Sequence, residues 1–256
     1  MIIDIATLFP EMCERVLDES IIGRARAAGK LTIDCHDIRA FTEDKHRRVD
    51  DSPYGGGMGM VMQPGPIYNC FRYLCRLRGV RPHVIYLSPK GRVFTQRRAG
   101  ELANMNNLLL LCGHYEGVDQ RILDEIVDEE LSIGDYVLTG GELGALVVCD
   151  AVGRLCEGVL PDESCYTEES HQSGLLEYPH YTRPPVWMGR EVPEVLLSGH
   201  HRNIEGWRRR EAIKITLRRR PDMLEKAQLG KSDIEYIDAL KRSDPSGACA
   251  ENGAAR

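Results

Sequence analysis

The chain is 256 residues long, 42% hydrophobic and 28% charged, with a net charge of −6. That suffices for one large domain or two small ones with packed cores, and it excludes a chain unfolded throughout. No apolar run approaches the ~18 residues a membrane-spanning helix needs.

Residues 1–8 read as a strand, apolar and β-branched, and Pro10 suits the first turn of a following helix. Residues 20–30 read as a second helix, stopped by Gly29, and 31–38 alternate as a strand does. Residues 39–63 are polar, then glycine-rich (SPYGGGMGM), and are expected to form a long loop. Residues 64–78 read as helix, 84–87 as a short buried strand ending in Ser88-Pro89, and 95–104 as helix. A buried strand over 108–112 ends in Gly113, after which Val118, Ile122 and Ile126 recur at helical spacing. Residues 136–138 are expected as a last short strand, and Gly140-Gly141 leads into a helix over 142–156. Strands alternating with helices imply an α/β fold with a mostly parallel sheet covered on both faces.

Residues 157–178 lack periodicity and read as a linker. Beyond it, Asn203 is expected to cap a helix running to Arg219, stopped by Pro221. Ser232-Asp-Ile-Glu235 reads as a capping box. The chain thus divides into an α/β domain over 1–160, a linker over 161–178, a helical domain over 179–243 and a disordered tail over 244–256.

The first residues, MIIDIATLFPEM, lack the basic start of a secretory leader. Nine cysteines without a Cys-x-x-Cys pair indicate neither a zinc site nor a disulfide framework. Both observations fit a reduced, cytoplasmic protein.

Charge is unevenly spread. Residues 52–100 carry eight Lys/Arg and no Asp or Glu, and 200–220 carry eight basic residues against two acids. Residues 116–142 carry nine acids and one Arg. A segregated basic surface binds polyanions whatever the net charge. Solvated helix faces are the plainer account, and the sequence leaves both open.

Three strand ends carry loop-type residues: 88–91, 113–117 and 138–141. In parallel sheets ligands sit at the carboxyl ends of strands. Glycines there either admit a ligand close to the backbone or serve tight turns and helix packing. The loop PYGGGMGM at 53–60 matches neither the P-loop nor the dinucleotide fingerprint.

The helix over 142–156 is too apolar for one sheet face to cover, which suggests burial against another subunit. On it, Asp150 and Arg154 form either an i,i+4 ion pair or an arginine placed to offset developing negative charge. Glu168-Glu169-Ser170-His171 combines groups suited to proton transfer, although adjacent loop carboxylates are usually only solvated. LLEYPHYTRP at 175–184 reads as an RNA-facing loop, and 202–220 as a phosphate-binding helix with Trp207 as its core anchor.

Seven motifs occur in order over residues 1–242: FTEDKHRRVDDSPYGGGMGM, VIYLSPKGR, LLLCGHYEGVDQRI, IGDYVLTGGEL, GLLEYPHYTRP, VLLSGHH and WRRREAI…LRRRPDMLE. Together they resemble the bacterial tRNA (guanine-N1)-methyltransferases, the TrmD family. The resemblance implies a SPOUT-type domain with a deep trefoil knot that binds S-adenosylmethionine, followed by a small α-helical tRNA-binding domain. It implies a homodimer with active sites at the subunit interface, no membrane association, and activity that depends on magnesium; no metal ligands stand out here. The implied reaction methylates N1 of the guanine 3′-adjacent to the anticodon in tRNAs with a preceding guanine.

Carried over by motif, the cofactor pocket comprises Tyr86, Leu87, Ser88 and Pro89 from the first loop. Gly113, Tyr115, Glu116 and Gly117 come from the second, and Ile133, Gly134, Tyr136, Leu138, Gly140 and Gly141 from the third. Arg154 matches the arginine that stabilises the guanine oxygen. His46, Asp50, Gly59 and Arg183 fall in segments that meet the RNA. The catalytic carboxylate falls on Glu169, where the family usually has Asp before Ser, with Glu168 as a second candidate. Glu is longer by one methylene. His114 stands where many relatives have Arg, and Gly144 where many have Pro. The alternative is an RNA-binding SPOUT protein that methylates weakly or at a different RNA position.

Overall fold

The computed structural model describes residues 1–162, 169–171 and 174–243, and the chain forms two compact units, Met1–Asp162 and Glu163–Arg256. The first unit runs β1 (Ile2–Thr7), α1 (Pro10–Leu17), α2 (Ser20–Ala27), β2 (Thr32–Asp37), β3 (Asp50–Asp51), β4 (Val61–Met62) and α3 (Pro64–Arg78). It continues with β5 (His83–Val93), α4 (Gln96–Ala103), β6 (Asn107–Cys112), α5 (Gln120–Ile126), β7 (Glu129–Ser132) and α6 (Glu142–Gly153). Five strands form one parallel sheet in the order β2-β1-β6-β5-β7.

The central strand β6 shows why the sheet needs cover on both sides. Leu108, Leu110 and Cys112 point into one core with side chains of α1, α2, α4 and α6. Leu109 and Leu111 point into the other, with α3 and α5. Successive residues of a strand face opposite ways, so a strand buried on both faces is apolar throughout. The helix ends follow local chemistry. Pro64 and Pro66 open α3, and Gly79 at φ +69° closes it. Thr95 caps α4 by accepting from Arg98 N–H, and Asp119 caps α5 by accepting from Arg121 N–H.

One polar cluster lies inside this unit. Asp4 on β1 is fully buried and sits in register beside Asp34 on β2. Arg78, at the end of α3, donates to Asp4 through Nε at 3.1 Å and Nη2 at 2.7 Å, and also to Asp34. His36 Nε2 lies 2.7 Å from Asp4 Oδ1.

The structure corrects several sequence expectations. Residues 136–138 are not a strand; the edge strand is β7, whose acids hid its character. Glu129 of β7 takes hydrogen bonds from Arg98 and His83, so its charge is met outside the apolar core. Strand β5 runs on to Val93 instead of stopping at Leu87. Leu87 and Arg92 both pair with Leu131, so residues 88–91 bulge out of the ladder and the strand then resumes. The long loop 39–63 contains a 3₁₀ turn (Ile38–Phe41) and the β3–β4 ladder, with Asp50 opposite Met62. Helix α6 ends at Gly153, three residues early.

The basic run of 52–100 is not a continuous basic face. Arg78, Arg81, Arg97 and Arg98 all pair with acids, most of them from other parts of the chain.

The second unit carries a hairpin, β8 (Val186–Trp187) with β9 (Arg190–Glu191), and the helices Glu194–Leu197, His201–Arg219, Pro221–Leu224 and Lys231–Ser243. Leu175, Ala212, Ile213 and Ile237 form its core. Trp207 is not in that core; it is half-buried against Tyr178 and Tyr181. Asn203 lies within the His201–Arg219 helix, whose cap position is His200. At the last helix, Asp233 Oδ2 accepts from Gly230 N–H at 3.0 Å, so Asp233 reaches back to the cap and Ser232 lies inside the helix. The expected tail, 244–256, lies outside the described residues. Among the described residues, no helix is long and apolar enough to cross a membrane.

Candidate active site

The bulge within β5 and the carboxyl ends of β6 and β7 open onto one cleft of about 320 Å³. The structure brings all fourteen residues assigned to a cofactor pocket around it. The bulge after Leu87 supplies the first wall, where Lys90 N–H donates to Ser88 Oγ at 3.1 Å and fixes the turn. The 113–117 loop supplies the second. Tyr115 there holds φ +58°, a left-handed conformation that costs energy unless the surroundings impose it. The third wall is the 133–141 loop. Ser132 Oγ donates to Gly134 O at 3.0 Å, and the Tyr136 hydroxyl donates to Ile133 O at 3.2 Å.

The second and third walls are tied together. His114 bridges to Gly140, and Gly141 N–H donates to Gly113 O at 2.9 Å. Gly141 must be glycine for this approach, because a Cβ there would stand 2.8 Å from Cys112 Cα. Beneath this junction Glu142 is buried at 4% exposure and accepts a hydrogen bond from Thr7 Oγ1 at 2.8 Å. Tyr86 lies at the base of the cleft, where burial, with Glu130 and Cys112 nearby, pushes its phenol up to about 12. It is therefore a neutral hydroxyl at physiological pH.

Val118, Leu123, Leu131 and Ser132 also line the cleft and were missed from the sequence. Leu131 and Ser132 belong to the edge strand that had been placed elsewhere. Val118 and Leu123 carry no signal beyond helical spacing.

The glycine-rich loop docks beside the second wall. Glu116 N–H donates to Met60 O at 3.0 Å, and Met62 N–H to Gly117 O at 2.9 Å. Gly59, at φ +86°, lies directly against the Glu116 side chain, 2.5 Å from where its Cβ would be. Asp50 on β3 belongs to the same small ladder. His46 stands in an exposed turn, its N–H bonded to Asp44 Oδ1 at 2.8 Å. Arg183 is exposed in the second unit.

Arg154 is the C-terminal cap of α6 and closes a stripe of that helix running through Leu143, Val147 and Asp150. Leu143 and Val147 are 48% and 45% exposed. Phe9, Met12 and Val16 are likewise exposed, on or beside α1, which packs against α6. Glu169 is half-buried, and its neighbour Ser170 accepts a hydrogen bond from Glu177 N–H at 2.9 Å. Glu168 lies outside the described residues. No group of three His, Cys, Asp or Glu suited to a metal ion occurs among the described residues.

The sequence profile described as tRNA (Guanine-1)-methyltransferase TrmD matches residues 1–226. Several curated relatives bear the name tRNA (guanine-N(1)-)-methyltransferase. That of Chloroflexus aurantiacus is 54% identical, covering 93% of this chain and 95% of the relative. That of Alkaliphilus oremlandii is 52% identical, covering 94% and 99%. That of Lachnoclostridium phytofermentans is 48% identical, covering 94% and 98%. With a profile match over most of its length and relatives this close, the chain belongs to the TrmD family of tRNA (guanine-1)-methyltransferases.

Proposed function

We propose that this protein transfers the methyl group of S-adenosylmethionine to N1 of the guanine 3′-adjacent to the anticodon, in tRNAs with a preceding guanine. The observation that carries this reading is the convergence of the β5 bulge and two strand-end loops on one glycine-lined cleft, in a chain of this family.

The cleft suits the cofactor by size and by lining. Leu87, Ile133 and Leu138 offer apolar walls to an adenine, and Glu116 is the carboxylate on the lining that can meet a cationic amino group. S-adenosylmethionine supplies an electrophilic methyl on a sulfonium. Guanine N1 carries a proton at neutral pH and becomes a nucleophile on losing it. Glu169 is the carboxylate that takes this proton. The charge left on the base spreads to O6, where the Arg154 guanidinium offsets it. The transfer is direct, so no cysteine nucleophile is needed. Burial raises the thiols of Cys70, Cys112 and Cys149.

The α/β unit is then a SPOUT domain with the knot the resemblance implies, and the helical unit meets the tRNA. His46, Asp50, Gly59 and Arg183 lie on the RNA side. The exposed apolar stripe of Leu143 and Val147, with Phe9, Met12 and Val16, is the surface we assign to the homodimer contact. Sedimentation equilibrium should return twice the chain mass. A monomer at micromolar concentration would remove the subunit-interface site from this account.

The deciding assay uses labelled S-adenosylmethionine with two tRNA transcripts. One bears two guanines at the 3′ edge of the anticodon, and the other lacks the first of them. Label is expected on the first transcript alone, mapped to N1. Equal label on both would remove the requirement for a preceding guanine, and label elsewhere would point to a different RNA site. No label despite bound cofactor would favour a non-catalytic RNA-binding role.

A further inference from the structure

Thr216 sits in the last turn of the basic helix His201–Arg219 and is fully buried. Threonine is a poor choice for a helix interior, since its branched side chain crowds the preceding turn and its hydroxyl competes for backbone groups. Here the hydroxyl is used twice. It donates to Ala212 O at 2.7 Å and accepts from Leu176 N–H at 2.8 Å. The first bond is the usual return to the helix. The second reaches a different segment, forty residues earlier in the chain.

That segment carries the backbone next to Glu169. Leu175 is buried at 2% exposure against Ala212 and Ile213 of the same helix. Leu175 O accepts from His171 N–H at 3.1 Å, and Glu177 N–H donates to Ser170 Oγ at 2.9 Å. Residues 170–171 are therefore clamped to 175–177. The clamp is pinned to the helix by one apolar side chain and one hydrogen bond, and Glu169 immediately precedes it.

We propose that Thr216 is a positioning residue for methyl transfer, acting through Leu176, Glu177 and Ser170 to set where the Glu169 backbone stands. A general base works only within hydrogen-bond reach of the proton it removes, and a misplacement of about 1 Å costs up to about 10²-fold in rate. This inference rests on Glu169 being the base.

The test compares single-turnover methyl transfer by the wild type, Thr216→Val, Thr216→Ser and Ser170→Ala. Cofactor affinity, tRNA affinity and the thermal midpoint are measured for each. Valine keeps the shape of threonine and removes both hydrogen bonds; serine keeps the hydroxyl. Thr216→Val and Ser170→Ala are expected to slow the chemical step about tenfold or more at saturating substrates. Both affinities should stay unchanged, and Thr216→Ser should restore the rate. A wild-type rate in a folded Thr216→Val protein would overturn the proposal. So would a loss confined to tRNA affinity, or an equal loss in the serine variant. If Thr216→Val does not fold, Ser170→Ala decides: a wild-type rate there overturns the proposal. Glu169→Gln is run alongside, and a wild-type rate in that variant would overturn the base assignment itself, whatever Thr216 does.

Discussion

Replacing Arg78 by methionine should cost the α/β unit about 3–5 kcal/mol, the usual penalty for stranding a buried charge by removing its partner. Asp4 is fully buried, and Arg78 meets both of its oxygens. Methionine fills similar volume, so the loss reads the charge and not a cavity. For a unit of this size the unfolding midpoint should fall by roughly 6–20 °C. Adding Asp4→Asn to the Arg78→Met protein should recover part of the loss, because the stranded charge is then gone. An unchanged midpoint in the single variant would show that His36 alone satisfies Asp4.

The same cluster sets a pH dependence. Burial pushes the Asp4 carboxyl up, but the hydrogen bonds and charges of His36 and Arg78 outweigh it and hold the group below its ordinary 3.8. A carboxylate with a depressed folded-state value adds stability above its unfolded value and loses it as pH falls through the folded one. Wild-type stability from this group is therefore complete at neutral pH and declines below about pH 4. In Arg78→Met the value rises, so acid relieves the stranded charge. The gap between the two proteins should narrow as pH falls.

Glu169→Gln should lower methyl transfer by about 10²–10⁴-fold, the span expected when a general base is removed. Glutamine keeps the size and can still hydrogen-bond, but it cannot take the N1 proton. Cofactor binding should be unaffected. Glu169→Asp restores the carboxylate on the shorter arm and should keep measurable activity, short of wild type if this chain's backbone is set for the longer side chain. Full activity in Glu169→Gln would move the base elsewhere, with Glu168 next to be tried.

What could be read from sequence followed from how each segment is buried. The run at 108–112 has no polar face, so it reads as a buried strand whatever its register. The cleft loops are short and contiguous, and two of them fall at strand ends, where a ligand site belongs in a parallel sheet; the third is the bulge of β5. β7 was illegible because an edge strand can carry acids that pair sideways, as Glu129 does with Arg98 and His83. The continuation of β5 past Pro89 was hidden because only pairing with β7 draws residues 92–93 back into the ladder. Arg78 looked like part of a basic surface, and nothing local says that its partners lie at positions 4 and 34. The link from Thr216 to the Glu169 segment is likewise a tertiary fact. Motif resemblance supplied the roles proposed for Glu169 and Arg154; spacing and composition left open whether they are proton-transfer and charge-offsetting groups or a solvated loop acid and an ion-pair arginine.

The junction of the second and third cleft walls has a consequence for resistance. An inhibitor that reads the main chain around Gly113, Gly140 and Gly141 contacts atoms that every amino acid shares, so substitution cannot delete its partners. The escape left is to add bulk, and at Gly141 even one carbon would collide with the backbone of Cys112. On the cofactor assignment proposed above, closing the cleft to the drug in this way would also close it to the methyl donor.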